Sequence, residues 1–460
     1  MWSTLLRAIS SMVIAYLVYY VLKWLNPKCK AGAGLPPGSM GLPLIGETLH
    51  LFFPSNSLDV HMFFKNRIQK HGPLFKTNIA GQPVVVSSDP KVNHCPFLQE
   101  GKPVQFCFIL NHSGEESIKE KLLSQLEELI YRNLGSWSKH DSVELKRAFS
   151  MMVCKFTSRQ LFGRDAERLR QSTAEKLTNF IQVLMSFPLN IPGTRFHKCL
   201  EEKIEVTSTL REIVKEKQAS HDDKMHEGDI LSQFVKDMKT EKFAQEDFVV
   251  KILFSTLFAT TETNSSIISL ALKLLSENPS AIEQLQVEHE EILRNRPKSS
   301  SSVTWDEYKS MTFTLQDHII NSLFPSLLFI LNYFRKQLKV EALYSLLGYT
   351  IPAGWGIMIA SSAQHLNTGV FRDPLAFNPW RWKVLLQFLP FYFVTTMNFM
   401  PFGRGVRQCA GAEFSKALLS IFFIIYWSPY YRWKPVKASN ITRTPLLNFG
   451  DGIHIKASKK

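Results

Sequence analysis

Apolar and polar positions follow three different rhythms along this chain. Ala8 to Leu22 carries no charge, and Trp2 to Leu6 extends the apolar run with Arg7 as its sole interruption. That length predicts a membrane-spanning helix, with Arg7 snorkelling toward headgroups. Lys23, Lys28 and Lys30 follow at once, which places the remaining chain on the cytosolic side. Ala31-Gly32-Ala33 leaves a second reading open, a cleaved signal peptide. Leu35 to Gly46 is rich in proline and glycine and reads as a stiff linker. Phe75–Ile79 and Pro83–Ser87 then predict two strands around Gly81, and Asp89-Pro90 starts a short helix.

Helical periods dominate the rest. Helices are predicted over Glu115–Leu134, Val143–Phe162, Ala174–Met185, Glu246–Glu277 and Pro279–Arg296, with another capped by Asp306 or Thr304. Glu246–Glu277 is apolar on several sides (Ile252, Leu253, Leu257, Ile267, Leu270, Leu274), which predicts a buried helix. Between Ala174–Met185 and that helix, Phe187 to Thr194 is an apolar loop broken by two prolines. The pattern describes a mainly helical protein with a small sheet.

Composition narrows the function. The 460 residues are 45% hydrophobic, enough for a large core. Six scattered cysteines without paired spacing suit a reducing compartment, and no Cys/His cluster suggests zinc. The net charge of +14 is dispersed, with no Lys/Arg block. Nucleic acid is therefore a poor explanation; an anionic membrane or an acidic redox partner is a better one.

The candidate chemistry lies in one loop and one helix. From Pro401 to Gly411 a lone cysteine sits among glycines and arginines, completing Phe402-x-x-Gly405-x-Arg407-x-Cys409-x-Gly411. Glycine lets backbone approach a flat group, arginine binds carboxylates, and a thiolate can be an axial metal ligand. A buried cysteine in a glycine-rich turn is the plainer alternative. About 145 residues earlier the central helix carries Ala259-Thr260-Thr261-Glu262-Thr263-Asn264. An acid and hydroxyls inside a buried helix are costly unless they bond or act; threonines bonded back to the helix are the plainer account.

The Cys409 loop resembles the cysteine-ligand loop of cytochromes P450. The proline-rich linker is similar to that of plant members oxidising sterols, brassinosteroids and triterpenoids, and within them the chain looks most like the family numbered 87. The resemblance implies the mainly α P450 fold, with a small β-sheet region, behind an N-terminal transmembrane helix. Its parts would be a membrane anchor (1–25), a hinge (26–46) and a haem domain (47–460). It implies haem b ligated by Cys409 and held by Arg335, Phe402, Gly405, Arg407 and Gly411. Glu262 and Thr263 would be the catalytic acid and hydroxyl. It further implies an endoplasmic-reticulum membrane protein facing the cytosol, fed by NADPH-cytochrome P450 reductase and acting on a small apolar substrate. The apolar loop at Phe187–Thr194 would lie near the substrate entrance, and His365 would be a packing or hydrogen-bonding residue.

Three stretches depart from that pattern, near 103–114, 317–334 and 383–396. In the first, about one helix and its loop is missing. In the second, a Glu-x-x-Arg pair is expected after Gln316 and falls instead on Ile320 and Leu323, or on Ser322 and Pro325 if the extra length is placed earlier. Its partner Arg381 survives, and a buried arginine without a carboxylate costs about 3–5 kcal/mol. In the third, an apolar run replaces a polar loop. Leu323–Leu331 and Ile421–Tyr431 have a similarly foreign look. Two readings follow: a monooxygenase, or an inactive P450-like remnant or faulty gene model.

Overall fold

The computed structural model describes residues 2–25, 34–42, 45–51, 53, 58–93, 122–169, 172–184, 190–219, 229–240, 245–296, 302–315, 338–339, 344–381, 398–403, 408–427, 431–438, 440–444 and 446–459. The three departing stretches lie outside these residues, as do Arg335, Gly405, Arg407 and the first three positions (187–189) of the loop at 187–194. In chain order the helices are α1 (Trp2–Leu25), α2 (Thr48–Leu51), α3 (Met62–His71), α4 (Leu123–Trp137), α5 (Leu145–Phe162), α6 (Ser172–Leu184), α7 (Arg195–Ala219), α8 (Ile230–Thr240), α9 (Glu246–Ser276), α10 (Pro279–Asn295), α11 (Trp305–Ser310), α12 (Thr312–Leu315), α13 (Ser361–His365) and α14 (Ala412–Tyr426). The strands are β1 (Leu74–Ile79), β2 (Gln82–Ser87), β3 (Val143–Glu144), β4 (Leu338–Lys339), β5 (Tyr344–Leu346), β6 (Tyr349–Ile351), β7 (Gly356–Ile359), β8 (Tyr431–Ala438), β9 (Thr442–Thr444), β10 (Leu446–Asn448) and β11 (Ile453–Lys459).

The two early strands form as the alternation predicts. They pair antiparallel around Ala80-Gly81, both with positive φ, a turn that matches strand twist. β2 then pairs parallel with β7, whose other edge takes β4. The linker is tied to this sheet at Glu47. Its carboxylate is 2.6 Å from Arg67 Nη2 of α3 and accepts from Thr77 Oγ1 of β1 at 2.6 Å. Gly46 is required there: its φ is +66°, and a Cβ would lie 2.3 Å from Asn78 O.

The expected helix Val143–Phe162 begins two residues late. Val143 and Glu144 pair instead with β11, and the Glu144 carboxylate accepts from the N–H groups of Lys146 (3.0 Å) and Arg147 (2.7 Å). Glu144 is thus the cap that starts α5. Thr304, rather than Asp306, caps α11, in a reciprocal box with Glu307.

α9 runs 31 residues through two cores. Its first half, Val249 to Leu257, packs with the C-terminal part of α5 and with α6, α7 and α8. Its second half, Ile267 to Leu275, packs with α4, α10, α14 and the N-terminal part of α5. Trp137, Phe149 and Phe422 stack edge-to-face across α4, α5 and α14, at centroid separations of 5.1 and 4.9 Å. Ile421–Tyr426 is buried within this second core. Of the run Ile421–Tyr431 that looked foreign, Ile421–Tyr426 is therefore the C-terminal part of α14, with the apolar character of a helix packed on every side, and Tyr431 opens β8.

α1 forms as expected, with Trp2, Met12, Ile14, Tyr16, Leu17 and Val18 all exposed. Among the described residues, however, no helix is long and apolar enough to cross a membrane.

His289 on α10 is almost wholly enclosed, and burial pushes its imidazole down to about 3. Thr314 Oγ1 gives its proton to Glu288 Oε2 (2.6 Å), so His289 Nε2 must donate to Thr314 Oγ1 at 3.0 Å. Folded pKa below unfolded pKa means stability is full above about 6.5 and drains as pH falls toward about 3, by roughly 1.4 kcal/mol per pH unit. Thermal unfolding of the full chain from pH 7 to 5 should show this fall, and His289→Gln should flatten it.

Candidate functional site

The Cys409 loop is organised by two backbone bonds. Gly403, with φ +71°, turns the chain and donates its N–H to Met400 O at 3.1 Å. Cys409 N–H then reaches back to Phe402 O at 2.7 Å, and Ala412 N–H bonds Cys409 O at 3.3 Å. The cysteine leads directly into the first turn of α14. Cys409 is free and half-buried. Gly411, the N-cap, has φ −91°, which any residue adopts, and a Cβ built on it meets nothing within 4 Å. Neither the backbone nor the surrounding protein requires glycine here. The open face beside it is what a flat group lying against the loop would need.

α9 supplies a matching surface. Ser255 and Ala259 are exposed and Thr256, Thr260 and Thr263 half-buried, while Leu253, Leu257, Thr261 and Glu262 are enclosed. Steps of three and four put the five small residues on one face. On an otherwise buried helix, such a face borders open space. The stretch also falls between the two cores, with Phe258 packed against both. A half-buried thiol at a helix N-terminus, a glycine with nothing beside it and a stripe of small residues fit haem. Cys409 would ligate the iron, with Gly411 and Phe402 on the loop against the ring. The expected propionate and loop residues Arg335, Gly405 and Arg407 lie outside the described residues.

The hydroxyls of α9 divide by role. Thr260 Oγ1 donates back to Thr256 O (2.7 Å), so the plainer account holds for it. Asn264 Nδ2 donates to Thr260 O at 2.8 Å. Thr263 Oγ1 makes no hydrogen bond among the described residues and stands on the open face. Glu262 points the other way, into α5: its Oε1 is 2.7 Å from Lys146 Nζ and 3.2 Å from Ser266 Oγ. The structure thus sets the acid and the hydroxyl on different sides of one helix. Sequence reading missed Lys146, because nothing in its local pattern links it to a residue 116 positions away.

His365 is a hydrogen-bonding packing residue, as expected: it is buried, its Nε2 accepts from Met400 N–H at 3.0 Å, and its ring lies 4.9 Å from Phe399. It fixes the segment entering the cysteine loop. Arg381 differs from the expected orphan. Its Nη2 donates to Asp373 O (2.6 Å) and Ala376 O (3.1 Å), and it remains half-exposed. Burial holds its guanidinium somewhat below the usual range, offset in part by Asp373. Among the described residues two carbonyls stand in for a carboxylate, and the partial exposure removes the reason for the full burial cost.

The fold and this site define a haem-thiolate protein. Residues 109–446 match the family described as Cytochrome P450, and the chain belongs to that family. Within it, the chain is 41% identical to "Beta-amyrin 16-alpha-hydroxylase CYP87D16" of Maesa lanceolata, over 98% of both chains. It is 39% identical to "Cucurbitadienol 11-hydroxylase" of Siraitia grosvenorii, over the whole of both. "Cytochrome P450 87A3" of Oryza sativa subsp. japonica is also 39% identical, over 96% of this chain and 89% of its own. This is a plant P450 of the 87 type. The solved structure "Retinoic acid bound cyanobacterial CYP120A1" superposes with a TM-score of 0.73 at 21% identity, covering 93% of this chain and 100% of its own, which supports the fold. The match to the Maesa protein runs over 485 positions, so at least 25 of them (485 less 460) have no counterpart in this chain.

Arg381→Met should lower thermal stability by about 1.5–3 kcal/mol, the worth of charge-assisted bonds, rather than more. Calorimetry of the full chain would check this; a larger loss would mean a deeper network around the guanidinium.

Proposed function

We propose that the protein is a haem-thiolate monooxygenase that hydroxylates an apolar triterpenoid or sterol. One observation carries this reading: a half-buried Cys409 thiol at the N-terminus of α14, beside a glycine with open space, in a chain whose central helix turns small residues to open space. Bound haem supplies oxygen activation, driven by electrons from a reductase. Cys409 would hold the iron. Thr263, its hydroxyl free, holds a proton at the pocket face, and Glu262 is the acid that replenishes it. The small side chains of α9 leave room for a bulky fused-ring substrate and offer it few polar contacts. The names of the Maesa and Siraitia relatives support a triterpenoid over other apolar substrates.

The proposal extends to the setting. α1, with apolar side chains exposed on all sides, attaches the protein to the endoplasmic reticulum membrane, and the haem domain faces the cytosol. NADPH-cytochrome P450 reductase is the proposed electron donor, and the chain's net charge of +14 suits an acidic partner. The comparisons lend no support to the alternative, an inactive remnant or faulty gene model.

Expressed in membranes, reduced and exposed to carbon monoxide, the protein should give the red-shifted Soret band of thiolate-ligated haem. A weak or absent band with protein present is the outcome that fits a remnant and would overturn the reading. Cys409→Ala should abolish the band. Thr263→Ala should keep it while product formed per NADPH falls by roughly 10²-fold, the lower end of what a positioned proton donor contributes.

A further inference from the structure

We propose that Lys146 is the proton inlet of this site, passing protons from solvent to Glu262; the inference rests on the monooxygenase reading. Lys146 is the second residue of α5, and the Glu144 cap fixes that helix start. Its Nζ lies 2.7 Å from Glu262 Oε1. The two groups differ in access: the Glu262 side chain is 3% exposed and that of Lys146 15%. Within the pair, the lysine is the member with appreciable contact with water. Its ammonium also stands 5.7 Å from the Phe449 ring, which covers part of it.

The seam between α5 and α9 holds unpaired polar atoms. Glu262 Oε2 is buried and has no partner among the described residues. Ser150 Oγ, one turn along α5 from Lys146, is buried and unpartnered in the same way. Ser266, one turn along α9 from Glu262, already donates to Oε1. Buried polar atoms left unpaired are costly, and internal water is their usual partner. Two such atoms on facing helices point to water places beside the ion pair. A proton then moves in single steps, with no change in electrons. Lys146 gives one Nζ proton to Glu262 Oε1 and takes a replacement from bulk water. The Glu262 carboxyl releases its proton through water toward Thr263, on the next position of α9 and the open face.

A pair that only clamps α5 to α9 is the competing account, and Lys146→Arg separates the two. Arginine keeps the charge and can keep the contact, but it does not give up its proton. The variant should keep the carbon monoxide band and the unfolding temperature of the wild-type chain. Product per NADPH should fall by about 10²-fold and the solvent deuterium isotope effect on product formation should rise. Wild-type values for both in Lys146→Arg would overturn the inlet. Independently, Lys146→Met, Glu262→Gln and their double variant should be non-additive in thermal unfolding, and additive losses would overturn the contact itself. A wild-type chain without the carbon monoxide band ends the monooxygenase reading and this one with it. A normal band with an unaffected Lys146→Arg ends this one alone.

Discussion

The structure depends on one long helix whose two apolar stretches are buried in separate cores while one face of its middle borders open space. α9 is held by two apolar cores, and each would be incomplete without it. Between them the helix carries threonines, a glutamate and an asparagine, residues that a packed apolar layer excludes. Three of these groups meet the cost in different ways. Thr260 bonds its own backbone, Glu262 pairs with a lysine and Thr263 faces open space. Rigid burial on either side then fixes the position of the polar segment, as a site on a scaffold requires.

The Cys409 loop is positioned from the same framework. α14 enters the second core along its whole buried length, which anchors the residues just before it. His365 and the Phe402–Cys409 backbone bond fix the loop from the other side. The ligand loop and the proton-handling helix therefore share one core, and a change in that core would be felt at both.

The departures from the family pattern have a milder physical meaning than spacing suggested. Arg381 finds two carbonyls, so the loss of a carboxylate partner does not leave a bare buried charge. The apolar end of α14 is core rather than intrusion. The match over 485 positions leaves at least 25 of them without a counterpart in this chain.

Much of this was legible in the amino-acid order. Helix periods, the β1–β2 hairpin and the buried character of α9 follow from local patterns that any fold would have to respect. The family could be read from the Cys409 loop, because a thiolate ligand and backbone approach demand fixed residue types at fixed spacing. What the sequence could not give is which residues meet across space. Lys146 beside Glu262, the carbonyls under Arg381, the Glu47–Arg67–Thr77 tie and the opposite facing of Glu262 and Thr263 arise only when helices pack. Local order sets periodicity and chemistry, but partners distant in the chain are chosen by close packing, which no local pattern encodes.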